Sequence, residues 1–212
     1  MKKMKIFTIT SILFISAAIN AQKLELRQEE KVAFKQRAKR MIELFTESLS
    51  IIPSFSPDTD ERILRDKAIR NVLRLFTTDA TMQLAYANST FSKPIPMAIY
   101  LNSLTNYEAK QELVHIDIID FTVEDVEPHP TELGKYIVRF EFVQRFSKKK
   151  NFVQTSDILN EKFETILWDY VDVTTKNGTG VIEKVTTQEG TKWIMLLSDV
   201  EAKDIEVVVV KD

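Results

Sequence analysis

The chain has 212 residues, no cysteine, and 29 basic against 31 acidic side chains, a net charge of −2. That balance speaks against a nucleic-acid partner, and the missing cysteines exclude disulfides, thiolate nucleophiles and cysteine-based metal sites. Only four glycines occur, none in a spaced cluster, so there is no loop to cradle phosphate, and no serine sits in an elbow motif.

Residues Met1 to Ala21 read as a cleavable signal peptide. Lys2, Lys3 and Lys5 precede an apolar run from Ile6 to Ala18, and Ala21 puts a small residue at the cleavage point. The run is too short to span a bilayer, and charged residues interrupt every later apolar stretch. Loss of those three lysines takes the charge from −2 to −5. The expectation is an exported protein, periplasmic or secreted, with no stable membrane anchor after cleavage and one domain over residues 22–212.

Apolar positions Phe34, Ala38, Met41, Ile42, Phe45, Leu49 and Ile52 recur at steps of three and four, which predicts a helix from about Lys23 to Ile52, ended by Pro53. Ser56-Pro57-Asp58 reads as a cap for a second helix with Leu64, Ala68, Val72 and Leu75 inward. A short strand is expected within Thr77 to Ala87, a turn at Asn88-Ser89-Thr90, and a third helix over Ile95 to Leu104 with Met97, Tyr100, Leu101 and Leu104 inward. From Glu112 to Val126 the apolar phase switches from even (Val114, Ile116, Ile118) to odd (Ile119, Phe121, Val123) positions. A strand changes faces only through an extra residue, which predicts a β-bulge at Ile118-Ile119.

The following strand carries Tyr136, Val138, Phe140, Phe142 and Phe146 on one face, with Arg139, Glu141 and Arg145 on the other. Four more strands are expected at Phe163 to Thr175, Val181 to Thr187, Lys192 to Val200 and Ile205 to Val210. Asn177-Gly178 and Glu189-Gly190 supply turns. The order predicts an α+β fold, a strongly curved antiparallel sheet with N-terminal helices packed on one face.

This layout resembles the NTF2-like (cystatin-like, SnoaL-like) superfamily. The likeness rests on the long first helix, on Leu75-Phe76-Thr77-Thr78-Asp79-Ala80 leading into the first strand, on the short helix at Pro94 to Leu104, and on Lys192-Trp193-Ile194-Met195-Leu196 in the final hairpins. It implies a cone-shaped cavity between helices and sheet, and dimerisation through the outer sheet face. The Ala21-Gln22 junction also resembles those of exported Bacteroidetes proteins.

Two polar residues break apolar faces. Gln144 is in phase with Tyr136 to Phe146, and Asp169 with Phe163, Leu167, Val171 and Val173. Asp169 is the candidate pocket carboxylate and Gln144 its companion. Trp168 and Tyr170, on the opposite face beside Glu164 and Asp172, line the cavity or cover an interface. Tyr100 and Tyr136 complete the candidate ligand-binding set. His115 and Asp117 share a polar face as a solvated pair, with no third ligand for a metal. No cofactor is indicated. Asp79 lacks the partnering Tyr that SnoaL-like catalysis needs, so no catalytic residue is assigned. The expected function is non-enzymatic binding of a small apolar ligand, a peptide or a partner protein. The alternatives are a SnoaL-like isomerase, dehydratase or hydrolase using a cavity carboxylate, and a homodimeric interaction module.

Overall fold

The computed structural model describes residues 25–53, 59–86, 91–152 and 166–210. The signal-peptide reading, the Ser56-Pro57-Asp58 cap, the Asn88-Ser89-Thr90 turn and the stretch from Phe163 lie outside or begin outside them. Helix α1 (Gln28–Ile51) opens with Glu29 and Glu30 against its N-terminal dipole and buries Ala38, Met41, Ile42, Phe45 and Leu49. Helix α2 (Thr59–Leu73) buries Ala68, Ile69 and Val72. Leu64, expected inward, is 56% exposed, because the face of α2 that meets the core is centred one residue later, on Ile69. Helix α3 (Met97–Ala109) starts directly after Pro96, as a residue lacking an N–H permits, and buries Met97, Tyr100, Leu101 and Leu104. Glu108 ties α3 to α2 by accepting hydrogen bonds from Arg62 (3.0 Å) and Arg65 (2.8 Å).

Six strands form one sheet in the order β2-β1-β6-β5-β4-β3. They are β1 (Thr81–Met82), β2 (Ile95–Pro96), β3 (Leu113–Pro128), β4 (Tyr136–Lys149), β5 (Tyr170–Thr187) and β6 (Gly190–Val210). Pairing is antiparallel throughout except where β1 meets β6 in parallel at Met82↔Val200, so the sheet is mixed rather than purely antiparallel. The fold class is otherwise as expected, α+β with the helices toward the N-terminus.

The register of β3 against β4 jumps between Ile118 and Asp120, which leaves Ile119 as the predicted bulged residue, and jumps again between Val123 and Val126. Two long continuous strands replace the four expected after residue 163. Asn177-Gly178 lies inside β5 and makes no turn. A Cβ at Gly178 would collide with the Phe140 ring, which lies against the glycine backbone from the neighbouring strand. This glycine serves close approach, not chain reversal. The reversal expected at Glu189-Gly190 is present, with Gly190 at φ 117°. The core fills the space between the helices and the concave face, with Phe45 edge-on to Phe76 (5.2 Å) and Phe142 (5.9 Å).

Candidate functional site

Inward positions of β5 are even-numbered. Across the ladder, Phe142 faces Lys176, Gln144 faces Thr174 and Phe146 faces Asp172. Pleating therefore sends Asp172, Thr174 and Lys176 to the same concave face as Gln144 and Phe146. Helix α3 covers this stretch with Tyr100, Leu104 and Tyr107, and between them lies a cavity of about 690 Å³, within the range usual for small-molecule sites. Leu84, Leu104 and Phe146 supply apolar wall, and Tyr86, Lys150 and Val210, all exposed, mark its mouth.

The inner end is polar and buried. Gln144 is 5% exposed, Thr174 3% and Lys176 2%. Lys176 Nζ donates to the Gln83 carbonyl at 3.1 Å, touches Met82 Sδ at 3.4 Å and stands 5.9 Å from the centre of the Tyr100 ring. Burial pushes its pKa down to about 8, and the more distant charge of Asp172 only partly opposes this. The same burial pushes Asp172 up, offset in part by hydrogen bonds from the Tyr170 and Thr174 hydroxyls, the latter at 3.1 Å. Burial also raises Tyr100, whose hydroxyl is hydrogen-bonded to the Gln144 side chain, while Gln144 Oε1 is buried with no partner among the described residues.

The candidate ligand residues separate on this frame. Gln144, Tyr100 and Tyr170 line the cavity, as does Asp169 at its rim. Asp169 precedes β5 and closes the strand junction. Its N–H donates to the Lys148 carbonyl at 3.0 Å and its carboxylate accepts from the Lys150 N–H at 2.8 Å. Trp168 stacks on the His115 ring at 6.3 Å, away from the cavity lining. Tyr136 lies under α1, accepting the Leu26 N–H at 2.9 Å and meeting Trp193 edge-on. His115 Nε2 contacts Asp117 at 2.8 Å, and Arg145 adds a 2.6 Å contact to the same carboxylate. Among the described residues no group of three or more His, Asp or Glu is placed to hold a metal.

Sequence reasoning missed Thr174 and Lys176 as site residues, and it gave Asp172 only a flanking place. The signal was the alternation Tyr170, Asp172, Thr174, Lys176, Gly178, Gly180, Ile182. Reading Asn177-Gly178 as a turn cut it short.

No family model matches the chain, and no curated protein does either. Solved structures similar to it include the Kfla4162 protein from Kribbella flavida, 16% identical over 82% of this chain and 95% of that one, with a TM-score of 0.40. A protein named for scytalone dehydratase from Novosphingobium aromaticivorans is 10% identical over 87% and 94%, with a TM-score of 0.40. Mtr2 of Candida albicans is 13% identical over 80% and 95%, with a TM-score of 0.38. Across the described residues the architecture is α+β, with helices toward the N-terminus and a six-stranded mixed sheet. Names borne by such distant neighbours settle nothing about ligand or reaction.

Proposed function

We propose that this chain is an exported, non-enzymatic binding protein whose cavity holds a small molecule with an apolar body and a polar head. The observation that supports this reading is the hollow beneath α3, apolar at Leu84, Leu104 and Phe146 and polar at its buried inner end, where Gln144 Oε1 has no partner among the described residues. A buried unpaired acceptor costs about 1–3 kcal/mol, a cost that a bound donor removes. Native mass spectrometry on protein purified from its own source tests this. The expected species has the mass of the chain from Gln22 onward plus one small molecule, and Leu104→Trp, which fills the hollow, loses the adduct. A bare chain under gentle conditions, together with no ligand-induced thermal shift across a metabolite library, sinks the reading.

A second reading, a SnoaL-like enzyme using a cavity carboxylate, gains support from Asp172 rather than from Asp169. The Asp172 carboxyl is buried, held toward its neutral form, and flanked by two hydroxyls, as a general acid or base requires. It predicts turnover that Asp172→Asn abolishes while ligand binding survives.

A further inference from the structure

Lys176 is 2% exposed, and its known contacts are a backbone carbonyl, a thioether and an aromatic ring. Among the described residues no carboxylate oxygen lies within the 4.0 Å of an ion pair with it. A buried ammonium costs several kcal/mol unless a counter-charge meets it. The nearest acid along the strand does not serve. Asp172 sits opposite Phe146, while Lys176 sits opposite Phe142, and the Asp172 carboxyl is taken up by Thr174 and Tyr170. Nor is the ammonium sealed into the core, since Lys176 lines the cavity wall.

We propose that the inner end of this cavity is an anion site, where Lys176 Nζ ion-pairs the carboxylate of a small, otherwise apolar organic acid. This rests on the binding reading above and names the class of ligand. A carboxylate has two oxygens to place. One meets the ammonium. The other meets the Tyr100 hydroxyl, which also lines the inner end, while Gln144 Oε1, itself an acceptor, takes its donor from a water carried in with the acid. With the Gln144 amide donating to the phenol oxygen, the Tyr100 hydroxyl proton is available to the ligand. Leu104, Tyr107 and Phe146 then flank the apolar body further out. At the mouth, Lys148 is paired with Glu112 at 3.7 Å and Lys150 stands beside Asp169, so the rim is close to neutral and selection for an anion falls to Lys176 at the inner end. Of the titratable groups that line the hollow, Asp172 is the acid that acts on Lys176, and it is the one that opposes a carboxylate. Its retreat toward the neutral form weakens that opposition.

The experiment is a calorimetric titration of the full mature chain at neutral pH with 3-phenylpropanoate, 3-phenylpropanamide and 3-phenylpropylamine. The three probes share one apolar body and differ in head. The expected result is that the acid binds roughly thirtyfold or more tightly than the amide, as for other buried charge pairs, and that the amine binds weakest. In Lys176→Met the acid loses its advantage and the amide is retained. Equal binding of acid and amide, or an acid preference that survives Lys176→Met, overturns the anion site while leaving the cavity reading intact. Binding of none of the three, with Leu104→Trp thermally indistinguishable in their presence, removes both. Should Lys176→Met fail to fold, the comparison of acid with amide on the unaltered chain decides alone.

Discussion

Along β4 and β5 the concave face changes character at Phe142. Toward Tyr136 it packs dry against α1, with Val138, Phe140 and Phe142 meeting Phe45 and its neighbours, and with Gly178 and Gly180 leaving room for the rings and methyls that lean over them. From Gln144 outward the same strands turn polar and the space above them stays hollow. The strands, their twist and their ladder bonds are common to both halves, so the difference lies in side chains and in the covering helix. α1 reaches the sheet with a full stripe of large apolar residues, whereas α3 reaches it with Tyr100, Leu104 and Tyr107 and stops short. The dry half supplies the stability that the hollow half gives up, and buried polar groups without an obvious folding role mark where a ligand belongs.

The largest effect that would break this division is Phe142→Ala. With the ring fully buried, the loss is expected at about 3–5 kcal/mol in urea unfolding. Phe146→Ala, in the hollow half, is expected to cost less than half of that. Equal losses would mean that both halves carry the fold alike.

Next in size is the effect of Lys176→Met. In the unfolded chain this amine titrates near 10.5, in the folded chain near 8. Between those values the unfolded state holds more protons, so stability rises with pH from about 8 and levels off above the unfolded value, by about 3 kcal/mol in all. Lys176→Met lacks the rise and is the more stable protein below pH 8. Urea melts of both proteins from about pH 7 to about pH 10 measure it, and parallel curves would contradict the burial. Taking the difference between the two proteins cancels the tyrosines, whose raised values act in the opposite direction at the alkaline end.

The smallest effect belongs to Asp169→Ala. Loss of its bond to the Lys150 amide is expected to cost about 1 kcal/mol and to leave the affinity for the acid probe unchanged, since that carboxylate is engaged at the rim. A large fall in affinity, read in the same titration, would return Asp169 to the centre of the site.

Much of this was legible in the sequence. A 3.6-residue stripe identified the inward faces of α1 and α3, and the phase switch at Ile118-Ile119 announced a bulge, because both are written in the spacing of apolar residues. Gln144 stood out as the polar break in a run of aromatic and aliphatic residues. The other half of the site was hidden by a glycine. Asn-Gly signals a hairpin in isolation, and only the Phe140 ring on the adjacent strand, which pairing alone brings there, tells that Gly178 is a place of contact. Phasing the strand from Phe163 and Leu167 then turned Asp169 inward on paper, although the ladder of β5 begins at Tyr170.

β6 receives the first part of the sheet on its free edge. Thr77 N–H donates to the Leu197 carbonyl, Leu197 N–H to that of Leu75, and Gln83 N–H to that of Val200, each at 2.8 Å. Asp199 accepts from both the amide and the hydroxyl of Thr81, 118 residues earlier. During synthesis, therefore, residues 75–83 have no strand to join until the ribosome has passed Val200. α1 can dock on β3 and β4 before that point, whereas residues 75–83 wait for β6. Closing so long a loop is slow, and the waiting chain is exposed to aggregation. In a cell-free system, truncation within β6 should leave residues 75–83 open to protease.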